Sequence, residues 1–212
     1  MVTLYVEHKW DSPWVFTVWV ALNEKGVPFT FTVLDLERGD QRRAEFAGAS
    51  LTARVPTVEH EGFWLSESLA IVEYLEESFP SPAFAPCLPR GVRERARARQ
   101  VMGFLRSDLF QLRKERSTES MFYERASVPL SEQALRDAEK LVGLTERLLI
   151  QNEPWLFAEF SCADADLALA LGRLRLNGDV LPQEVERYFD RAWERKSVQS
   201  FVGQPRPGAR AS

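Results

Sequence analysis

Only two of the 212 residues are cysteines, Cys87 and Cys162, and only two are histidines, His8 and His60. The cysteines form no C-x-x-C pair, which argues against a disulfide framework and against a dithiol motif, and fits a reducing compartment. The histidines belong to no visible ligand cluster along the chain, so no metal is expected. No apolar run approaches the roughly 20 residues that cross a bilayer. The start M-V-T-L-Y-V-E-H lacks the basic and apolar regions of a secretory signal, so a cytoplasmic location and no membrane partner are expected. An excess of positive charge is missing too: 27 Lys and Arg face 31 Asp and Glu, a net charge of −4. A general nucleic-acid binder is usually basic, so no nucleic-acid partner is expected. The run R-G-V-R-E-R-A-R-A-R-Q, residues 90–100, is short and sits in an acidic chain. Arg93 and Arg97 share one helical face, and Arg95 and Arg99 another, as on a solvated surface, a contact between subunits or the edge of a ligand cleft.

What the chain does have is a hydrophobic content of 45%, enough for a substantial core. Residues 2–6 read as a strand. Ser12 then caps a helix that has Pro13 at its first position. Val15, Val18, Trp19 and Leu22 recur at helical spacing, and Gly26 is a C-terminal cap. Phe29, Phe31 and Val33 alternate with Thr30, Thr32 and Leu34, which predicts a second strand. A polar stretch from 37 to 53 follows, with a weak helix near 41–47. Residues 54–68, R-V-P-T-V-E-H-E-G-F-W-L-S-E-S, predict a strand entered through Pro56, a turn at Glu61-Gly62 and a second strand. A helix opened by Glu67 and Ser68 then runs to about 78. The order is β-α-β-α-β-β-α, that of a thioredoxin-like domain.

Four prolines between 79 and 91 mark a linker. Beyond it strand signals fade, and helices are predicted over 92–116, 131–151, 164–177 and 183–201. The closing G-Q-P-R-P-G-A-R-A-S has no apolar residue larger than alanine and reads as a frayed tail. The division is 1–79, linker 80–91, an all-α domain over 92–203, and a flexible tail over 204–212. Ser161 and Asp164 have the S-x-x-D spacing of a capping box at a helix start, with Asp166 two residues on.

The stretch from Arg54 to Ser68 carries the chemistry. X-Pro accepts a cis bond at small cost, and a cis Val55-Pro56 bond would turn the backbone of Val55 outward as a docking edge for an extended peptide. Glu67 and Ser68 add a carboxylate, a hydroxyl and the open N–H groups of a helix start. Together these suit a small zwitterionic peptide.

This layout resembles the glutathione-binding half of the cytosolic glutathione S-transferases. With the helical second half, the resemblance covers nearly the whole chain. It implies that glutathione is a cosubstrate, that no cofactor is tightly bound, and that the protein is a homodimer. Ser12, in W-D-S-P-W-V, falls where the serine-type branches place the residue that meets the glutathione sulfur. A thiol has a pKa of roughly 8.5. Lowering it by about 2 needs roughly 2.7 kcal/mol, within reach of a hydroxyl donor and a helix N-terminus. Ser12 would then donate to sulfur rather than attack; the plainer alternative is that it only caps the helix. The resemblance also assigns Glu67 to the ammonium and Ser68 to the α-carboxylate of the γ-glutamyl end.

In S-L-T-A-R-V-P, residues 50–56, Arg54 takes the family's lysine position and would hold the glycine carboxylate, with a weaker contact from Gln41. The family's Asn-Pro pair is missing here. The S-S-C-like stretch of the maleylacetoacetate isomerase branch is absent too, which disfavours that branch and a cysteine-based thioltransferase. The expected activity is transfer of glutathione to a small electrophile in an apolar cleft. The alternatives are a glutathione-dependent peroxidase or disulfide reductase, acting on a hydroperoxide or a disulfide, and a non-catalytic binding protein with the same fold.

Overall fold

The computed structural model describes residues 1–149 and 154–208. Contacts divide the chain into two units: Met1–Cys87 with Ser200–Pro207, and Leu88–Gln199 joined by Gly208.

The first unit is built from β1 (Val2–Glu7), α1 (Pro13–Lys25), β2 (Phe29–Leu34), a 3₁₀ turn (Asp40–Arg42), α2 (Ala44–Ala49), β3 (Thr57–His60), β4 (Phe63–Ser66) and α3 (Ser68–Ser78). The four strands form one mixed sheet in the order β2-β1-β3-β4. β1 runs parallel to β2 and antiparallel to β3, and β3 pairs antiparallel with β4. This is the β-α-β-α-β-β-α order expected from sequence. α1 begins and ends as its residues require. Ser12 is its N-cap, Pro13 fills the first position without wasting an N–H, and Gly26 closes it at φ 68°. Glu61 and Gly62 both have positive φ, as a tight two-residue hairpin demands.

The segment 200–207, of which 200–203 were expected in the all-α domain and 204–207 in a flexible tail, belongs instead to the first unit. Phe201 is fully buried, with its ring 5.3 Å from Phe16 and 5.7 Å from Trp10. Ser200 accepts the indole N–H of Trp19 at 2.8 Å. Arg206 donates from Nε to the Trp10 carbonyl at 3.1 Å and covers the Phe201 ring. The Arg206 guanidinium thus ties down a stretch whose composition reads as loose. Residues 209–212 of the expected tail lie outside the described residues.

The second unit is helical: α4 (Val92–Ser107), α5 (Phe110–Glu115), α6 (Thr118–Phe122), α7 (Glu132–Leu149), α8 (Cys162–Arg175), α9 (Gln183–Trp193) and the start of α10 (Lys196–Val202). The helix expected over 92–116 is broken. Leu109 turns at φ 51°, and Asp137 of α7 accepts the N–H groups of Gln111 and Leu112 at the start of α5. The helix expected over 183–201 is likewise two, α9 and α10. The end of the helix expected over 131–151, residues 150–151, lies outside the described residues. In α8 every residue but Arg175 is buried, Cys162 included. Asp164, at 0% exposure, anchors its start by accepting from the backbone of Leu156 and Ser161, the Ser161 hydroxyl and the Tyr188 hydroxyl, all at 2.8–2.9 Å. No helix among the described residues is long and apolar enough to cross a membrane.

Candidate active site

Strand register places most of the candidate residues at one end of the sheet. Glu7 ends β1 and leads through a short loop to Ser12. Because Tyr5 lies opposite Thr57, Pro56 and Val55 enter β3 beside the end of β1. Because Thr57 lies opposite Ser66, Glu67 leaves β4 at the same level. Neighbouring strands are about 4.8 Å apart, so the three strand ends from β1 to β4 span about 10 Å. The carboxyl end of β1, with loops and helix N-termini around it, is where open sheets hold their ligands. On the other flank of β1, Leu34 of β2 lies opposite Glu7 and leads to the loop of Gln41.

Ser12 is half-buried. Its Oγ accepts the Val15 N–H at 3.3 Å and its carbonyl accepts the Phe16 N–H at 3.1 Å. A hydroxyl has one proton and two lone pairs. Capping occupies a lone pair and leaves the proton, which meets no acceptor among the described residues. The expected alternatives for Ser12, helix cap and donor to sulfur, are therefore compatible in one side chain.

The Val55-Pro56 peptide is cis. Ser50 Oγ and Thr57 Oγ1 meet at 3.0 Å, and Thr57 Oγ1 donates to the Arg54 carbonyl at 2.7 Å, so the strand entry is tied to the end of α2. The Arg54 side chain is exposed and makes no ion pair among the described residues. Glu67 caps α3 at φ 74°, ψ 112°, a conformation rare outside glycine and concentrated at functional sites. Its carboxylate is exposed, whereas Ser68 is buried at the first helical position. Gln41 is turned inward: its amide donates to the Leu36 carbonyl at 3.3 Å, and its Oε1 is buried. Trp10 is a core residue, 3% exposed, with its ring edge-on to Trp19 and Phe31.

Sequence reading missed Glu7. It is 4% exposed, and its Oε1 accepts the Ser12 N–H at 2.8 Å. Burial pushes its carboxyl up to about 7, against the pull of the Ser12 N–H. The available signal was a carboxylate closing the apolar strand V-T-L-Y-V-E, five residues before the capping serine.

The fold brings His8, which has no ligand cluster visible along the sequence, beside Asp35 and Glu37. Its Nδ1 lies 3.7 Å from Asp35, and with Glu37 the three offer ligand atoms within 4.8 Å of one another. Lys9 holds Glu37 at 2.7 Å, so the group is an ion-pair network on the loop. A cavity of about 900 Å³ opens in the helical unit among Arg116, Ser120, Tyr123 and Val128. None of the candidate residues lines it. The convergent polar groups at the sheet end are the better guide to chemistry.

Comparison with known proteins places these features in a family. Residues 91–205 match the family described as glutathione S-transferase, C-terminal domain, and residues 11–78 that described as glutathione S-transferase, N-terminal domain. A glutathione transferase homolog from a Burkholderia strain, BGR1, solved with bound glutathione, is 37% identical at a TM-score of 0.76, over 95% of each chain. A maleylacetoacetate isomerase from Methylobacterium extorquens AM1, solved with malonate and glutathione, is 27% identical at a TM-score of 0.71, over 99% of this chain and 100% of that one. The maleylacetoacetate isomerase of Dictyostelium discoideum is 36% identical over 102 residues, which are 47% of this chain and 45% of that protein. The chain thus spans less than half the length of the curated relatives it first matches.

Proposed function

The chain belongs to the glutathione S-transferase family, and on that premise we propose that it binds glutathione at the carboxyl end of β1, activates the thiol beside Ser12 and passes the thiolate to a small electrophile. The observation that carries this reading is the register: the end of β1 that leads to Ser12, Val55 at the entry to β3 and the Glu67–Ser68 pair after β4 lie at one level of the sheet.

Each group then has a task set by its chemistry. Val55 offers backbone N–H and C=O to the cysteinyl residue of the peptide, as an added strand would use them. Glu67 meets the ammonium. Ser68 and the first N–H groups of α3 take the γ-glutamyl carboxylate, which the helix dipole also favours. Arg54, exposed and without an ion pair among the described residues, takes the glycine carboxylate as a bidentate fork. Gln41 contributes less, because its amide already serves the Leu36 carbonyl. The Ser12 proton points the hydroxyl dipole at sulfur, and the N-terminal end of α1 adds its field, so the thiolate is favoured over the thiol.

The test is direct. Pure protein should be retained on immobilised glutathione, and free glutathione should raise its melting temperature. Failure of both removes the glutathione reading. A panel of electrophiles, hydroperoxides and mixed disulfides then ranks transferase against peroxidase and reductase activity. A second acceptor reaction has an observation in its favour: several relatives are named maleylacetoacetate isomerases. The same thiolate can add reversibly to a conjugated cis double bond and leave after rotation. A cis-configured conjugated diacid therefore belongs in the panel, although Trp10-Asp11-Ser12 departs from that branch's S-S-C-like stretch.

A further inference from the structure

We infer that Glu7 is a positioning residue for the thiol chemistry: its buried carboxyl, bonded to the Ser12 backbone, sets the pH at which the sulfur beside Ser12 gives up its proton. This rests on the glutathione site proposed above. The geometry is specific. Glu7 closes β1 at 4% exposure, Oε1 holds the Ser12 N–H at 2.8 Å, and Oε2 is buried without a hydrogen-bond partner among the described residues. An oxygen left so is costly as part of an anion and tolerable as part of a neutral acid. Burial accordingly holds the group protonated up to about pH 7, and Asp11 pushes the same way.

The other charged groups around the strand end are engaged elsewhere. Across the strand end, His8 faces Asp35 and Lys9 holds Glu37. Arg206 of the C-terminal segment donates to the carbonyls of Trp10, Val202 and Gln204. The first turn of α1 carries no acidic residue. Among the described residues no cation therefore forms an ion pair with the Glu7 carboxyl.

Two anionic sites then share one polar strand end: the Glu7 carboxylate on the Ser12 N–H, and the thiolate on the Ser12 O–H. Like charges so placed oppose each other, and the pair loses its protons in two coupled steps. With Glu7 neutral, the S–H bond breaks heterolytically, the electron pair stays on sulfur and the proton leaves to solvent. Once Glu7 is ionised, the same step is harder. By reciprocity the thiolate delays the ionisation of Glu7.

Glu7→Gln keeps an oxygen acceptor for the Ser12 N–H and removes the charge. The experiment is an ultraviolet titration of thiolate absorbance with saturating glutathione, with S-methylglutathione as the blank. The thiolate should appear in both proteins, at a measurably lower pH in the variant. An equal or higher midpoint in Glu7→Gln overturns the role of Glu7 and leaves the glutathione site standing. No thiolate in either protein overturns the site and this role together. Should the variant fail to fold, the side-chain carboxyl carbon of Glu7 in the native protein serves by NMR. Its titration should move to higher pH with glutathione than with S-methylglutathione, and coincident midpoints overturn the inference.

Discussion

In the proposed site Ser12 would use one hydroxyl for two purposes, and the two separate energetically. As a helix cap it accepts the Val15 N–H, an interaction whose loss costs about 1 kcal/mol. As a donor to sulfur it would act on the rate. Ser12→Ala should therefore lower the melting temperature by only a few degrees while turnover falls roughly ten- to a thousand-fold. Steady-state kinetics beside a thermal melt would check it, and an unchanged rate would return Ser12 to a purely capping role. Glu7 makes the opposite kind of contribution. Its folded pKa, about 7, lies above the ordinary 4.5, so the native state holds the proton more tightly than the unfolded chain. The stability from this group is full below about pH 4.5 and is lost as pH rises through about 7, a change of about 3 kcal/mol. Glu115 runs the other way: the hydroxyl and N–H of Ser131 and the Gln111 amide pull its carboxyl down to about 2, so its contribution is present at neutral pH and fades in acid. Glu7→Gln is expected to melt higher than the native protein near pH 8 and to lose that advantage near pH 5. Calorimetry at the two pH values decides it, and an advantage independent of pH would contradict the assignment.

At the scale of elements, what could be read from sequence was what the chain encodes locally. Ser12, Pro13 and Gly26 delimit α1 within their own neighbourhood. The Glu61-Gly62 turn does the same for the hairpin, and Ser161 with Asp164 for the start of α8. The breaks that escaped are set from a distance. Nothing between 92 and 116 announces that the helix stops at Asp108, because the N–H groups that open α5 are satisfied by Asp137, far along the chain on α7. Burial hides periodicity in the same way: α8 is buried on nearly every face, so no apolar stripe distinguishes it. The candidate site was legible where it rests on the Pro56 hairpin and the Glu67–Ser68 helix start. It was illegible at Glu7, whose contact with Ser12 forms only once the strand end folds. Asp164 supplies the test at this scale. Asp164→Ala would strip partners from the backbone of Leu156 and Ser161 and from the Tyr188 hydroxyl. At about 1–3 kcal/mol for each buried group left unpaired, the variant should lose several kcal/mol in urea denaturation. A loss below about 1 kcal/mol would contradict the anchoring role.

At the scale of the whole molecule, the first unit is completed by residues from the far end of the chain. Phe201 fills the aromatic cluster of Trp10, Phe16 and Trp19, and Trp10 sits two residues before the catalytic candidate. Phe201→Ala should cost about 3–5 kcal/mol and weaken the near-ultraviolet circular dichroism of the tryptophans. Sedimentation should report twice the chain mass of 24.3 kDa for the proposed homodimer. The central claim is that a sheet end assembled by strand register holds glutathione with its sulfur at Ser12. A crystal structure with glutathione measures this most directly. The account predicts the cysteinyl backbone paired with Val55, the γ-glutamyl end at Glu67 and Ser68, and the sulfur within hydrogen-bond reach of Ser12 Oγ. Glutathione bound elsewhere, or bound there with its sulfur turned away from Ser12, would contradict it.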